Sequence, residues 1–146
     1  MKKLLVLILA MIFLAGCGDG RPKRYPVQGV VTVDGKPLTG EFVGSIRLFP
    51  EAGGRPASAQ LDSEGKFILG NYEAADGCPA GKYLVEVNVS QQKNTKMRYL
   101  TPPRCWDAET SGLRVEIVGE NPNLAIDVRW LPEDEKDRNV VIDMNE

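Results

Sequence analysis

The chain has 146 residues, 18 basic and 20 acidic, with a formal net charge of −2 and no histidine. Charge this balanced, with its basic residues scattered, excludes a nucleic-acid-binding surface, which needs clustered positive charge. The missing histidine removes the commonest general base, the Ser-His-Asp arrangement and most catalytic zinc sites, so neither an enzyme nor a cofactor is expected.

Lys2 and Lys3 precede an apolar run from Leu4 to Ala15 that ends at Gly16-Cys17. A positive start, a short apolar stretch and small residues at its end make a secretory signal. The run is too short to span a bilayer, which takes about 20 apolar residues. Leu14-Ala15-Gly16-Cys17 resembles a bacterial lipobox. That resemblance implies a signal peptide over 1–16, cleavage before Cys17, and acylation of Cys17 as a lipid anchor. Membrane lipid is then the first partner, and the cell envelope the location. Gly18 rather than Asp follows Cys17, so the retention signal of enteric bacteria is missing and the outer membrane is favoured over the inner. Cleavage takes Lys2 and Lys3 away, leaving 16 basic against 20 acidic side chains. Residues 17–26 read as a polar tether. The one local basic cluster, Arg21, Lys23 and Arg24, lies there. It can touch anionic headgroups beside the anchor, although a solvated tether is the plainer reading.

Residues 27–146 read as one domain of strands and turns. Val27 to Val33 is β-rich and leads into Asp34-Gly35, a strong turn dipeptide. Ser45 to Phe49 alternates and stops at Pro50. Ser58–Leu61 and Lys66–Leu69 flank Asp62-Ser63-Glu64-Gly65, the spacing of a hairpin. The clearest strand is Tyr83 to Val89, with Tyr83, Val85, Val87 and Val89 facing a core while Glu86 and Asn88 face outward. A long loop is expected from Gln91 to Ser111. Leu113, Val115 and Ile117 alternate with polar residues, as do Leu124, Ile126 and Val128. Pro132 to Asn139 reads as a charged loop or one helical turn, and Val140 to Met144 as a final strand. No helical period is sustained after the signal. Seven or eight short strands with frequent turns predict an all-β fold, an antiparallel β-sandwich.

If Cys17 is acylated, Cys78 and Cys105 remain as an even pair in an oxidising compartment. A disulfide between them is expected, with two free thiols as the alternative. Asp62-Ser63-Glu64-Gly65 lacks the ligand series of a calcium loop and reads as a turn. Glu133, Asp134, Glu135 and Asp137 are offset by Lys136 and Arg138 and read as a solvated loop. Neither gives a metal site. Tyr72, Tyr99, Trp106 and Trp130 supply aromatic surface. Tyr99 and Trp106 share the long loop and are the candidate ligand-binding pair for a sugar or peptide.

The order of motifs carries a family resemblance. Val27 to Leu38 gives Val-x-Gly-x-Val-Thr-x-Asp-Gly-Lys-Pro-Leu. Leu48-Phe49-Pro50, Asp62 to Phe67, Pro79 to Val85 and Thr110 to Val115 follow in order. Together they resemble small Planctomycetes lipoproteins with a transthyretin-like or carboxypeptidase regulatory-like sandwich domain. The resemblance implies an Ig-like Greek key and a structural or interaction role. Display from the envelope, with loops as the working surface, makes an envelope protein or polysaccharide the expected partner. The hydrolase relative of that fold depends on histidines and a terminal Tyr-Arg-Gly-Ser motif. This chain has neither, so no activity carries over.

Overall fold

The computed structural model describes residues 20–145. The expected signal peptide and the acylated Cys17 lie outside the described residues. The elements are β1 (Arg24–Tyr25), β2 (Val27–Val33), β3 (Lys36–Pro37), β4 (Val43–Pro50), β5 (Ala57–Gln60), β6 (Lys66–Ile68), β7 (Cys78–Pro79), β8 (Gly81–Lys93), β9 (Lys96–Tyr99), β10 (Arg114–Ile117), β11 (Asn121–Val128) and β12 (Val141–Asp143). Two short 3-10 turns, Pro103–Trp106 and Pro132–Asp134, are the helical segments among the described residues. No helix there is long and apolar enough to cross a membrane.

The described residues form strands joined by turns, with no α-helix among them, as their alternation predicts. In the smaller main sheet β2 is central, with β11 on one side and β6 and β3 on the other. The larger sheet runs β5-β4-β8; β10 covers one end of the far side of β8, and β9 followed by β12 covers the other. A two-residue pairing joins β1 to β7. Val27, Val31, Phe67, Ile126 and Val128 from the first sheet share one buried cluster with Ile46, Leu48, Val85 and Val87 from the second. Apolar faces of two sheets meeting in one core make a sandwich. Along β8 the alternation is as read: Tyr83, Val85, Val87 and Val89 are buried, while Glu86 and Asn88 are half-buried on the other face.

Three features depart from the expected plan. First, β11 pairs with β2 in parallel, from Asn121↔Val27 to Val128↔Val33, so the sandwich is not wholly antiparallel. Second, the domain starts at β1, inside the stretch read as tether. Third, the strand read over Tyr83–Val89 continues to Lys93 and turns back at Asn94 (φ +56°) into β9. The expected loop from Gln91 to Ser111 therefore shrinks to an excursion over 100–113. That excursion interrupts the strand lying beside β8. Leu100 N–H and Thr101 N–H donate to the Val89 carbonyl, and Val85 N–H donates to the Leu113 carbonyl.

The charged C-terminal segment is tied down. Asp134 is buried, not solvated, and accepts from Arg104 Nε at 2.8 Å and from Leu131 N–H at 3.0 Å. Asp34, in the β2–β3 turn, accepts from Trp130 N–H at 3.0 Å and pairs with Arg138.

Candidate functional site

Tyr99 and Trp106 do not share a loop, since Tyr99 ends β9 and Trp106 lies in the 3-10 turn, but the excursion folds Trp106 back against Tyr99. Their rings meet edge to face, with centroids 4.7 Å apart and planes at 80°. The indole N–H donates to Thr101 Oγ1 at 3.0 Å. Rings at right angles offer no common plane for a sugar to stack on. The pair instead packs as a half-buried corner. Trp130 sits apart, donating from Nε1 to the Leu100 carbonyl at 3.3 Å under the Arg138 guanidinium.

Cys78 and Cys105 are both free and buried, which corrects the expected disulfide. Each thiol has its own surroundings. Cys78, in β7, meets the Tyr83 hydroxyl; Cys105, in the 3-10 turn, lies by Arg104 and Asp134. Burial pushes both thiols up, with Tyr83 opposing at Cys78 and Arg104 opposing at Cys105. A thiol held protonated in an apolar setting is a poor nucleophile. Glu86 lies beside Arg47 at 3.7 Å; burial raises its carboxyl, Arg47 opposes, and Asp107 adds to the rise. Among the described residues no three His, Cys, Asp or Glu side chains gather as metal ligands. At the Asp62 turn, Oδ1 accepts from Glu64 N–H at 2.8 Å and Lys66 N–H at 2.9 Å, so this carboxylate serves its own hairpin.

The densest gathering of charged and aromatic groups surrounds Tyr72. The loop between β6 and β7 holds this ring in place. The Asp76 carboxylate turns back on the loop, accepting from Asn71 N–H at 2.6 Å and Tyr72 N–H at 3.3 Å. Gly77 has φ +96°, and a Cβ there would lie 2.5 Å from the Tyr25 carbonyl oxygen. Only glycine lets β1 pass this closely. Arg21, Arg24 and Arg55 all reach the Tyr72 ring, at 4.6, 5.2 and 5.2 Å from its centroid. Lys23 lies 4.9 Å from the Tyr25 ring centroid. Arg24 also pairs with Asp76 at 3.1 Å, and Arg55 Nε donates to the Asn71 carbonyl at 2.5 Å. Burial raises Asp76, but the backbone N–H groups of Asn71, Glu73 and Tyr72, with Arg24, outweigh it and hold the carboxyl below its ordinary value. The sequence signals only part of this cluster. Arg21, Lys23 and Arg24 are visible as neighbours, whereas Arg55 comes from the β4–β5 loop and Tyr72 from a turn that no periodicity marks.

Away from this cluster, an open groove of about 770 Å³ runs between β2, β5, β6 and β11. Val30, Phe67, Ile68 and Leu124 line it, with Asp62 and Lys66 among its polar groups. Comparison with protein families, curated proteins and solved structures found no match.

Proposed function

We propose that this chain is a lipid-anchored, non-catalytic β-sandwich of the cell envelope that works as a structural or interaction module. The observation that carries the reading is the closeness of the fold to the expected anchor. β1 begins seven residues after Cys17, at most about 25 Å of extended chain. A domain on so short a leash works at the membrane surface. The lipobox-like Leu14-Ala15-Gly16-Cys17 supplies the anchor, with several acyl chains giving the firm hold that one chain does not. The motif order shared with transthyretin-like lipoproteins supports the same reading. So does the structural use made of the reactive groups: the cysteines fill the core, Asp62 and Asp76 hold turns, and Asp134 clamps Arg104.

Intact mass of the membrane-extracted protein tests this, together with labelling by a clickable fatty acid. Loss of residues 1–16, added acyl mass on Cys17 and loss of label in Cys17→Ala are expected. A mature N-terminus elsewhere, or an unmodified Cys17, would overturn it.

A further inference from the structure

The entrance to the fold concentrates positive charge on a molecule whose net charge is negative. Arg21, Arg24 and Arg55 converge on one tyrosine, and Lys23 lies over a second. Arg55 is brought in by the β4–β5 loop, so the fold, and not only the composition of the tether, builds this surface. Asp76 offsets Arg24, while among the described residues neither Lys23 nor Arg55 pairs with a carboxylate. The arrangement favours an anion arriving from outside. Tyrosine flanked by cations also suits a bilayer surface, where an apolar ring body and a polar tip meet both phases.

We infer that this end of the sandwich rests on the bilayer and engages the phosphate groups of anionic phospholipids through Arg21, Lys23, Arg24 and Arg55. The inference rests on the acylation of Cys17 proposed above. Arg21 follows Cys17 by four residues, at most about 14 Å of extended chain. A lipid on Cys17 therefore holds the cluster beside the headgroup layer, which is roughly 5–7 Å deep. That confinement gives headgroups a high effective concentration at the cluster without any long-range search. Tyr72 and Asp76 keep the guanidinium groups gathered, so a phosphate meets a preformed surface.

The test uses the acylated protein reconstituted into vesicles of phosphatidylcholine alone or mixed with phosphatidylglycerol. Arginines are modified with phenylglyoxal and read site by site by mass spectrometry. With phosphatidylglycerol, modification of Arg21 and Arg55 is expected to slow roughly fivefold or more and to recover at high salt. Exposed Arg98 and Arg114 serve as internal controls and should not change. Equal rates in both vesicles would overturn the inference, and so would equal protection in both. Protection by inorganic phosphate in neutral detergent would also overturn it, assigning the cluster to a free anion. Acyl mass on Cys17 is read from the same sample, so failure of the anchor is seen separately from failure of headgroup contact. Arg55→Gln should leave the protein membrane-bound while weakening protection of Arg21.

Discussion

Thr101 shows how much of the excursion hangs on single atoms. It is fully buried, and its hydroxyl accepts from Val89 N–H at 3.1 Å and Trp106 Nε1 at 3.0 Å while donating to the Val87 carbonyl at 3.2 Å. One donor and two acceptor positions are all in use. Thr101→Val should lower unfolding stability by about 2–3 kcal/mol, because it leaves a strand N–H and an indole N–H without a partner. Thr101→Ser should be nearly neutral in the same guanidinium titration, and a valine variant as stable as the parent would refute the role. Gly29 makes a different demand: a Cβ there would lie 2.0 Å from the Leu124 carbonyl oxygen and 2.7 Å from Phe67 Cζ. Gly29→Ala should therefore destabilise by about 3 kcal/mol or prevent folding, since neither the parallel β11 backbone nor the packed ring can yield cheaply. Glu86 gives a pH signature. Its carboxyl is raised by burial, so the native state holds more protons than the unfolded one just above the ordinary glutamate range. Stability should rise as pH falls through that window. Glu86→Gln should abolish the rise in thermal melts taken from pH 7 to 4.5; an unchanged profile would count against the assignment.

The tie between the excursion and the C-terminal segment depends on Arg104. Besides Asp134, it donates to the Ser111 carbonyl at 2.5 Å and the Arg129 carbonyl at 2.7 Å. Arg104→Met should cost about 2–3 kcal/mol, below the range for a fully buried pair because Arg104 keeps some exposure. It should also speed proteolytic cutting after residue 131, and unchanged cutting would refute the tie. These elements also mark how far the sequence could be read. The strands at Tyr83–Val89 and Leu124–Val128 were legible because one face is buried and the alternation is strict. The β8–β9 hairpin was not, because Gln91, Gln92, Lys93, Lys96 and Arg98 put polar groups on both faces and leave no period. Asp134 looked solvated because its partner lies 30 residues away. Counting cysteines suggested a bridge because parity says nothing of geometry; both thiols instead fill the core. The arginine cluster was half legible, since Arg21, Lys23 and Arg24 are sequence neighbours while Arg55 and Tyr72 arrive only through loops.

At the scale of the whole molecule, acid should act through the turns. Asp62, Asp76 and Asp127 are all held below the ordinary carboxyl value. At Asp62 the Lys66 and Glu64 N–H groups are the main cause. At Asp127 burial works the other way but is outweighed by Thr32, Gly35 N–H and Arg129. A lowered native pKa favours the fold above the unfolded value and loses that contribution as pH falls through the native one. The denaturation midpoint should therefore drop below about pH 4, where free aspartate begins to protonate. A midpoint that kept climbing below that pH would contradict the linkage. The three carboxylates brace the Asp62–Lys66 hairpin, the Tyr72 loop and the β2–β3 turn, so the loss should be cooperative across both sheets.

The parallel pairing of β2 with β11 has a mechanical consequence. The chain reaches β2 directly from β1, so a pull on the N-terminus runs along the axis of β2. The two residue pairs joining β1 to β7 would part first. Load would then fall lengthwise on β2, sliding it against β11 and straining the six paired positions between them together, rather than peeling them one at a time. A domain hung from residue 17 would thus yield a little at its entrance and then hold.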